Sequence, residues 1–367
     1  MLRQYRVRDY DFKLILLVIA LTVIGILAIG SAKESLQSRQ LMGAVLGAFL
    51  MIVFSLFDYP VLLKFYWIIY IVNLALLALV NFAGVEAGGA QRWLNIFGIQ
   101  FQPSETAKIF LILFFAQFIW KHQEEMSSIK MISLCVLLFI PPILLIYKQP
   151  DLSTSIMVVI LFCVMLFVGG ISWKYIILVL AVAIPTLIIA LMLVLQPDQQ
   201  IIDDYQQRRI LAWIYPDEYA NTEAYQQTNS ITAIGSGQLY GKGYKTNEIS
   251  SVKNGNFISE PQTDFIFAVI GEEFGFVGGC TVIVLLILIA FECIMVARKA
   301  KDIAGTIIAA GVAALIGFQG MINISVATGV IPNTGIPLPF VSYGLTSLVS
   351  NYIGMGFVLN VRLQCKK

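Results

Sequence analysis

The stretch Leu14-Ile-Leu-Leu-Val-Ile-Ala-Leu-Thr-Val-Ile-Gly-Ile-Leu-Ala-Ile-Gly-Ser31 contains no charged residue. Because a helix rises about 1.5 Å per residue, about 20 such residues cross the roughly 30 Å hydrocarbon layer of a membrane. Nine further apolar segments follow: Leu41 to Leu56, Leu63 to Phe82, Thr106 to Trp120, Ile129 to Tyr147, Ser153 to Val168, Tyr175 to Leu195, Phe265 to Val296, Ile303 to Val326 and Phe340 to Leu363. The pattern predicts an all-α polytopic membrane protein with ten transmembrane helices.

The composition favours the same class. The 367 residues are 58% hydrophobic and only 13% charged, whereas about a quarter of the residues of an ordinary soluble domain are charged. The formal net charge is +2, and no basic cluster is interleaved with aromatic residues, which argues against nucleic acid as a partner. The single histidine, His122, has no second His or Cys nearby, so we expect no zinc site. We predict one transmembrane domain over residues 1–367.

The distribution of Lys and Arg predicts how the helices are oriented. Cytoplasmic loops carry an excess of these residues. Fourteen fall on the side of the predicted bundle that holds the chain ends: Arg3, Arg6, Arg8, Lys13, Lys64, Lys121, Lys130, Lys174, Arg298, Lys299, Lys301, Arg362, Lys366 and Lys367. The short loops on the other side hold four: Lys33, Arg39, Arg92 and Lys148. Both termini are therefore predicted to be cytoplasmic.

A long polar segment, residues 196–263, separates the seventh and eighth predicted helices, and we predict that it is an extracellular loop. It contains Gln206-Gln-Arg-Arg209 and the glycine-rich stretch Gly235-Ser-Gly-Gln-Leu-Tyr-Gly-Lys-Gly243. A loop longer than about 15 residues is usually functional or disordered. Its aromatic residues Trp213, Tyr215 and Tyr240 favour partial order.

Ionisable residues within membrane spans are costly, so they are candidates for function. Glu105 and Lys108 lie three positions apart at the start of the fourth span, after Pro103. One interpretation is a capped helix start with a structural ion pair. The other is that both charges face a polar, anionic substrate at the outer mouth of the bundle. Just upstream, Arg92 suits bidentate binding of phosphate, and Trp93 suits the membrane interface.

Two aspartates open spans from this same side. Asp151 precedes the sixth span and Asp264 precedes the eighth, and both are suited to capping a helix. Around Asp264, however, Glu260, Glu272 and Glu273 crowd one membrane face, so capping alone is an incomplete account. A carboxylate removed from water at this place has a raised pKa and can accept a proton near neutral pH.

The connection before the last span is irregular. Thr328-Gly-Val-Ile-Pro-Asn-Thr-Gly-Ile-Pro-Leu-Pro-Phe-Val-Ser-Tyr-Gly344 contains three prolines and three glycines, which exclude a continuous helix. Irregular backbone at membrane depth must line a cavity or be buried in protein. The residues by themselves therefore predict a polar, carboxylate-bearing cavity open to the outside, and they leave both an enzyme and a transporter open.

Five blocks, in this order and over nearly the whole chain, resemble the SEDS (shape, elongation, division and sporulation) family, and they are more similar to its RodA branch than to FtsW. The blocks are Gly89-Ala-Gln-Arg-Trp-Leu94, Phe101-Gln-Pro-Ser-Glu105 with Lys108, Gln149-Pro-Asp-Leu152, Pro261-Gln-Thr-Asp-Phe-Ile-Phe-Ala-Val269 with Glu272-Glu273, and Gly335-Ile-Pro-Leu-Pro-Phe-Val-Ser-Tyr-Gly344. Two positions depart from the family pattern. Gln262 replaces a usual His, which bears on a proton relay or substrate contact, and Leu345 replaces a second Gly, which bears on packing.

The resemblance implies a peptidoglycan glycosyltransferase of the bacterial cytoplasmic membrane. Such an enzyme joins lipid II units into β-1,4-linked glycan at the outer face during cell-wall elongation, beside a class B penicillin-binding protein. The resemblance makes Asp264 the catalytic residue, a general base in a single inverting displacement. The departing pyrophosphate needs cations, supplied by side chains and optionally by a divalent cation (Mg²⁺ or Mn²⁺); no nucleotide is implied. The predicted substrate-binding residues are Arg92, Trp93, Glu105, Lys108, Asp151, Arg208, Arg209 and Ser342.

Two other classes of protein stay open at this point. A flippase for the same lipid-linked precursor should carry cationic groups through the full membrane depth and open to both sides, whereas the polar residues here crowd one face. A non-catalytic scaffold that only recruits the penicillin-binding protein leaves the outer carboxylates without a role. The sequence therefore favours the polymerase.

Overall fold

The computed structural model describes residues 10–87, 90–96, 98–149, 151–196, 204–245, 251, 255 and 257–365. Over these residues the chain forms thirteen α-helices and three short strands. The helices are α1 (Phe12–Ala32), α2 (Glu34–Leu56), α3 (Tyr59–Leu63), α4 (Tyr66–Ala83), α5 (Pro103–Lys121), α6 (Ile129–Tyr147), α7 (Leu152–Val168), α8 (Trp173–Val194), α9 (Asp204–Ile214), α10 (Tyr225–Ser236), α11 (Ile266–Lys299), α12 (Ile303–Ala327) and α13 (Leu345–Leu363).

Each of the ten predicted spans coincides with one of these helices, namely α1, α2, α4 to α8 and α11 to α13. Within the described residues, six helices are long and apolar enough to cross a membrane: α1, α2, α4, α6, α11 and α12. Helix α7 is apolar but has only 17 residues, and α5 carries Glu105, Lys108 and Lys121. The predicted fold class, an all-α polytopic membrane protein, is confirmed.

The bounds differ most from the prediction at two spans. Helix α2 begins at Glu34 rather than Leu41, so Arg39, which was predicted to lie in a short loop, is part of the helix. The last span begins later than predicted. Sequence analysis begins it at Phe340, but the helix begins at Leu345. Pro337 and Pro339 lack the N–H that a helix uses, and Phe340 has a positive φ of 63°. The apolar residues before Leu345 are therefore buried as irregular chain rather than as helix.

A three-stranded antiparallel sheet between α4 and α5 is an exception to the all-α prediction. Strand β2 (Ala90–Ile96) pairs with β1 (Val85–Ala87) and with β3 (Ile99–Phe101). Strands β1 and β3 have only three residues each, and the seven residues of β2, Ala-Gln-Arg-Trp-Leu-Asn-Ile, do not alternate between apolar and polar, so none of the three gives a strand signal. The sheet places Arg92 and Trp93 in the middle of β2, with Trp93 opposite Val85.

Close contact between α2 and α13 organises the core. A β-carbon on Gly47 would lie 2.5 Å from the ring of Tyr352, and one on Gly356 would lie 2.7 Å from the carbonyl oxygen of Met51. Small residues allow membrane helices to approach this closely. At Leu345, where the family pattern has a second Gly, the side chain packs against Gly43 of α2.

Helix α11 is broken at Gly275, which has φ 64° and ψ −161°. Residues 238–243 bond to both sides of the break. Lys242 N and Gly243 N donate to the carbonyls of Glu272 and Glu273, at 2.9 and 3.1 Å, and Gln238 O and Leu239 O accept from the N–H groups of the next turn, at 2.8 and 3.2 Å. These bonds satisfy backbone groups that a helix terminus leaves unpaired.

The break divides the roles of α11. From Gly275 to Lys299 the helix is about 37 Å long at about 1.5 Å per residue, enough to cross a membrane. The part before Gly275 begins beside Asp264, and we call the end of the bundle that holds Asp264 the site end. Asp11, at the start of α1, lies 3.8 Å from Arg362, in the last turn of α13. The start of α1 and the end of α13 therefore lie together, and we call this end of the bundle the opposite end.

Candidate functional site

Asp264 is held by its backbone. It lies in the turn at 261–265 that precedes α11, and its side chain is partly exposed. Asn323 Nδ2 of α12 donates to the Asp264 carbonyl at 2.7 Å and to the Ile336 carbonyl at 2.8 Å. One buried amide therefore joins the aspartate to the irregular segment at 328–344.

Ser342 joins the same two pieces of chain. Its Oγ accepts from Leu338 N at 2.8 Å and donates to Thr263 O at 2.5 Å, and the next backbone N–H, of Tyr343, donates to Gln262 O at 2.8 Å. Because the hydroxyl is engaged with backbone, Ser342 acts on the position of Asp264. The Gln262 side chain, at the position where the family usually has His, donates to Glu260.

Arg209 and Asp264 meet at Gly335. A β-carbon on Gly335 would lie 3.5 Å from Asp264 Oδ2 and 3.9 Å from Arg209 Nη1. The same Nη1 donates to the carbonyl of Asn333 at 3.2 Å. Helix α9, in the long segment at 196–263, thus brings a guanidinium to the aspartate at the start of α11.

We expect that Gly335→Ala lowers activity far more than it lowers stability. Gly335 has φ +73°, a conformation that costs an alanine about 1 kcal/mol, and the new methyl group would touch the Asp264 carboxylate and occupy space beside Arg209 that a substrate would otherwise use. Activity and thermal unfolding of the purified variant measure the two effects. Gly170→Ala is the matched control, because Gly170 has φ +90° with nothing within 4 Å of the added carbon. Equal loss of activity in both variants would contradict the assignment.

Arg92 and Asp151 form the second charged pair of the site. Arg92 Nη1 lies 3.9 Å from Asp151 Oδ1, and Arg92 Nε donates to Gln149 O at 3.1 Å. Asp151 Oδ1 also accepts from Thr154 N at 3.1 Å and so caps α7. The capping role considered from the sequence is present, and it holds Asp151 beside the guanidinium.

The surrounding charges act on Asp264 in opposite directions. Burial raises the pKa of its carboxyl above the ordinary value, with smaller contributions from Asp151 and Glu260; Arg209 and Arg92 oppose the shift. The group is thus a stronger proton acceptor than an ordinary aspartate while two cations lie near it. This combination suits a base that works beside a departing anion.

Glu105 and Lys108 lie deeper and are buried. Their residue exposures are 4% and 2%. Lys108 Nζ donates to Glu105 Oε1 at 2.8 Å and to Gln319 Oε1 at 2.9 Å. Gln319 Nε2 in turn donates to the carbonyl of Pro337 at 2.9 Å. Through Gln319, the Lys108 ammonium is therefore connected to the irregular segment at 328–344, at Pro337, two residues from Gly335.

Other predicted residues lie apart from Asp264. The Arg208 side chain is 63% exposed and lies 3.9 Å from Glu223. Trp93 is partly exposed next to Arg92. Of the two adjacent carboxylates near the start of α11, Glu272 pairs with Lys242 at 2.8 Å, and Glu273 accepts from the Ser31 hydroxyl at 2.5 Å.

Sequence analysis assigned no role to Gln319, Asn323, Asn333 or Gly335. The first two are uncharged polar residues in an otherwise apolar span, a pattern that is informative in a membrane helix, where an unbonded polar group is costly. Gly335 and Asn333 lie in an irregular segment whose path depends on tertiary contacts, so their closeness to Asp264 has no signal in the sequence.

A helical bundle with an aspartate and two arginines grouped at one end defines a class: an integral membrane protein with a charged site whose groups are suited to bind an anion and to accept a proton. The chain belongs to the FtsW, RodA and SpoVE family, because the family model described as a cell cycle protein matches residues 10–367.

Named relatives match over nearly the full chain. Peptidoglycan glycosyltransferase MrdB of Escherichia coli K12 is 33% identical over 362 residues, covering 97% of this chain and 94% of that protein. The probable peptidoglycan glycosyltransferase FtsW of Geobacter metallireducens is 32% identical over 379 residues, covering 98% and 96%.

Two solved structures are also similar. One, from work titled "Structural coordination of polymerization and crosslinking by a peptidoglycan synthase complex", has a TM-score of 0.79 and 29% identity, with 96% and 97% of the two chains covered. The rod shape determining protein RodA of Thermus thermophilus has a TM-score of 0.69 and 28% identity, with 96% of each chain covered.

Proposed function

We infer that this chain is a peptidoglycan glycosyltransferase, an activity named for relatives that match it over nearly its whole length. Its substrate is proposed to be lipid II, and the product a β-1,4-linked glycan strand. The observation that carries the assignment is the grouping of Asp264 with Arg209 at Gly335. Purified full-length protein given labelled lipid II should yield glycan chains resolved by size; unchanged lipid II would refute the proposal.

The chemistry needs one base and positive charge. Ionised Asp264 takes the proton of the acceptor 4-hydroxyl, whose oxygen bonds to the anomeric carbon of the donor. The bond from that carbon to the lipid pyrophosphate breaks, and its electron pair leaves with the phosphate oxygen. Arg209 and Arg92 stabilise that charge. A single displacement converts an α-linked donor into a β-linked product, so no covalent sugar–enzyme intermediate forms.

The other predicted substrate residues take supporting roles in this proposal. Ser342 and Asp151 position Asp264 and Arg92, and the buried pair Glu105–Lys108 supports the segment that carries Gly335. Trp93 lies next to Arg92 for contact with the sugar or lipid. Arg208, which is exposed, meets the substrate at the edge of the site.

A divalent cation is the optional part of the proposal. Among the described residues no three His, Cys, Asp or Glu side chains converge to hold a metal, so a purely protein-built site does not fit. Mg²⁺ commonly binds one or two carboxylates together with substrate phosphates, and Asp264 and Asp151 are close enough to influence each other. These two residues would hold the ion, which adds positive charge at the pyrophosphate.

A flippase is less well supported. It should carry cations through the membrane depth, but Arg92 and Arg209 lie at the site end, and Lys108, which is buried in the second turn of α5, is already bonded to Glu105 and Gln319. A non-catalytic scaffold would not require a partly exposed aspartate close to two arginines. The polymerase uses all of these groups.

The membrane is proposed to be the bacterial cytoplasmic membrane, with the site end outside and both termini in the cytoplasm. The partner is a penicillin-binding protein, since a similar chain belongs to a synthase complex that coordinates polymerisation with crosslinking. We propose that this partner is of class B and that the pair serves elongation.

Labelling of introduced cysteines tests the orientation. The best position is Thr232, which is exposed on α10 and bonds only within its helix; Asn229 is less suitable because it donates to Phe257 O at 3.1 Å. With the five native cysteines replaced, we expect Thr232→Cys to react with an impermeant thiol reagent on intact spheroplasts. Glu124→Cys, at the opposite end, should react only after lysis. The reverse pattern would overturn the external site.

A further inference from the structure

A cavity of about 270 Å³ lies at the opposite end of the bundle, between α1, α11 and α13. It is remote from Asp264, and the proposed reaction does not use it. Its charged lining residues are Asp11, Lys13, Glu292, Lys299 and Arg362. At about 30 Å³ per water, the space corresponds to about nine waters, which is enough for a phosphate ester and its glycerol.

The charges in this cavity are only partly neutralised. Lys13 binds Glu292, and Arg362 lies 3.8 Å from Asp11. The third cation, Lys299, is exposed and has no ion pair or hydrogen bond within the described part of the chain. The lining thus keeps one cation available for an anionic group that enters the cavity.

One wall of the cavity is apolar and faces the lipid. Phe291 lines this wall and is 52% exposed. Ile287, one turn of α11 closer to the middle of the membrane, is 61% exposed. On α1, which contacts α11 through Lys13, Leu16 is 67% exposed. Lys299 is in the last turn of the helix, at the depth where headgroups lie. A charged cavity therefore continues directly into an apolar surface that acyl chains cover.

We propose that this cavity binds the headgroup of an anionic phospholipid, with the phosphate at Lys299 and the acyl chains along Phe291 and Ile287. Basic pockets between membrane helices are suited to such headgroups. The apolar wall favours a lipid over a free phosphate ester, and the two have the same charged group. The site acts as a lipid anchor for the ends of α1, α11 and α13, independently of the glycosyltransferase function.

The test uses full-length protein in neutral detergent, titrated with phosphatidylglycerol or with phosphatidylcholine. A ligand that binds the folded state raises the unfolding temperature. We expect phosphatidylglycerol to raise the Tm more than phosphatidylcholine does, and native mass spectrometry to show retained phosphatidylglycerol. Lys299→Glu should weaken binding about tenfold or more, since each Lys or Arg near an anionic lipid contributes a factor of about five. Lys299→Gln should lie between this variant and the wild type.

Arg298→Glu is the matched control. Arg298 is also exposed in the last turn of α11; it contacts the sulfur of Met295, a lining residue, but it does not itself line the cavity. Its reversal should weaken binding about twofold or less, because Arg298 does not line the cavity and would act on the headgroup only through solvent, where salt screens charges. Equal weakening by both substitutions would mean diffuse attraction and would overturn the site. Equal stabilisation by glycerol 3-phosphate would overturn the lipid assignment, as would equal binding of phosphatidylcholine.

Discussion

Replacing Asp264 by Asn should reduce glycan polymerisation by about 10²- to 10⁴-fold, or about 3 to 5 kcal/mol of barrier, because the substitution removes a general base. The amide keeps the shape of the side chain, and the contact of Asn323 with the Asp264 backbone is unaffected. Lipid II should therefore still bind. The measurements are the rate of polymerisation by the purified variant and its affinity for lipid II.

Stability gives an independent check on the Asp264 prediction. Because burial raises the pKa of this carboxyl, its ionisation is less favourable in the folded than in the unfolded protein. The ionised group thus costs stability at neutral pH, and the cost disappears as the pH falls below the ordinary value of about 4. Asp264→Asn should then unfold at the same temperature as the wild type or higher. Polymerisation within about threefold of wild type would refute the general base.

The pH profile follows from the same shift. As the pH falls, Asp264 takes up a proton and ceases to be a base, and a raised pKa moves this loss to a pH above that of an ordinary aspartate. As the pH is lowered, kcat/KM should therefore begin to decline at a higher pH than it would if the Asp264 carboxyl had its ordinary pKa. Loss of lipid II binding together with activity in Asp264→Asn would instead favour a role in holding the pyrophosphate or a metal.

The sequence predicted the ten long helices well because a membrane imposes a simple rule: backbone polar groups must be satisfied within the helix, and about 20 apolar residues are needed to cross. It also identified Asp264, Arg92 and Asp151 as candidates, because ionisable residues in or directly beside apolar spans are candidates for function. These predictions depend on local composition, which can be read directly from the chain.

What the sequence did not predict depends on contacts between distant segments. Arg208 and Arg209 are equivalent in the sequence, yet Arg209 reaches Gly335 and Arg208 lies 3.9 Å from Glu223 on the exposed side of α9. The β1–β3 sheet is similar: β1 and β3 have three residues each and β2 does not alternate between apolar and polar residues, so the sheet gives no periodic signal. The interpretation of Glu105 and Lys108 stayed open because their depth in the bundle is a tertiary property.

Replacing Lys108 by Met should destabilise the protein by about 3 to 5 kcal/mol, because it leaves the Glu105 carboxylate buried without its cation. Activity should fall as well, since the bond from Gln319 to Pro337 O helps hold the segment next to Asp264. Thermal unfolding and polymerisation of the purified variant measure both effects. A direct contact with the pyrophosphate would instead reduce activity with little loss of stability.

Two double variants separate these explanations. Glu105→Met with Lys108→Met removes both buried charges and replaces them with apolar side chains of similar length; such replacements are often neutral or stabilising, so we expect both stability and activity to recover. The exchange Glu105→Lys with Lys108→Glu should not recover, because a carboxylate at 108 would face the Gln319 Oε1 that now accepts from Lys108 at 2.9 Å. To donate to that carboxylate, the Gln319 amide would have to rotate, and its hydrogen bond to the carbonyl of Pro337 would be lost. If the neutral pair folds well but stays inactive, Lys108 acts on the substrate itself.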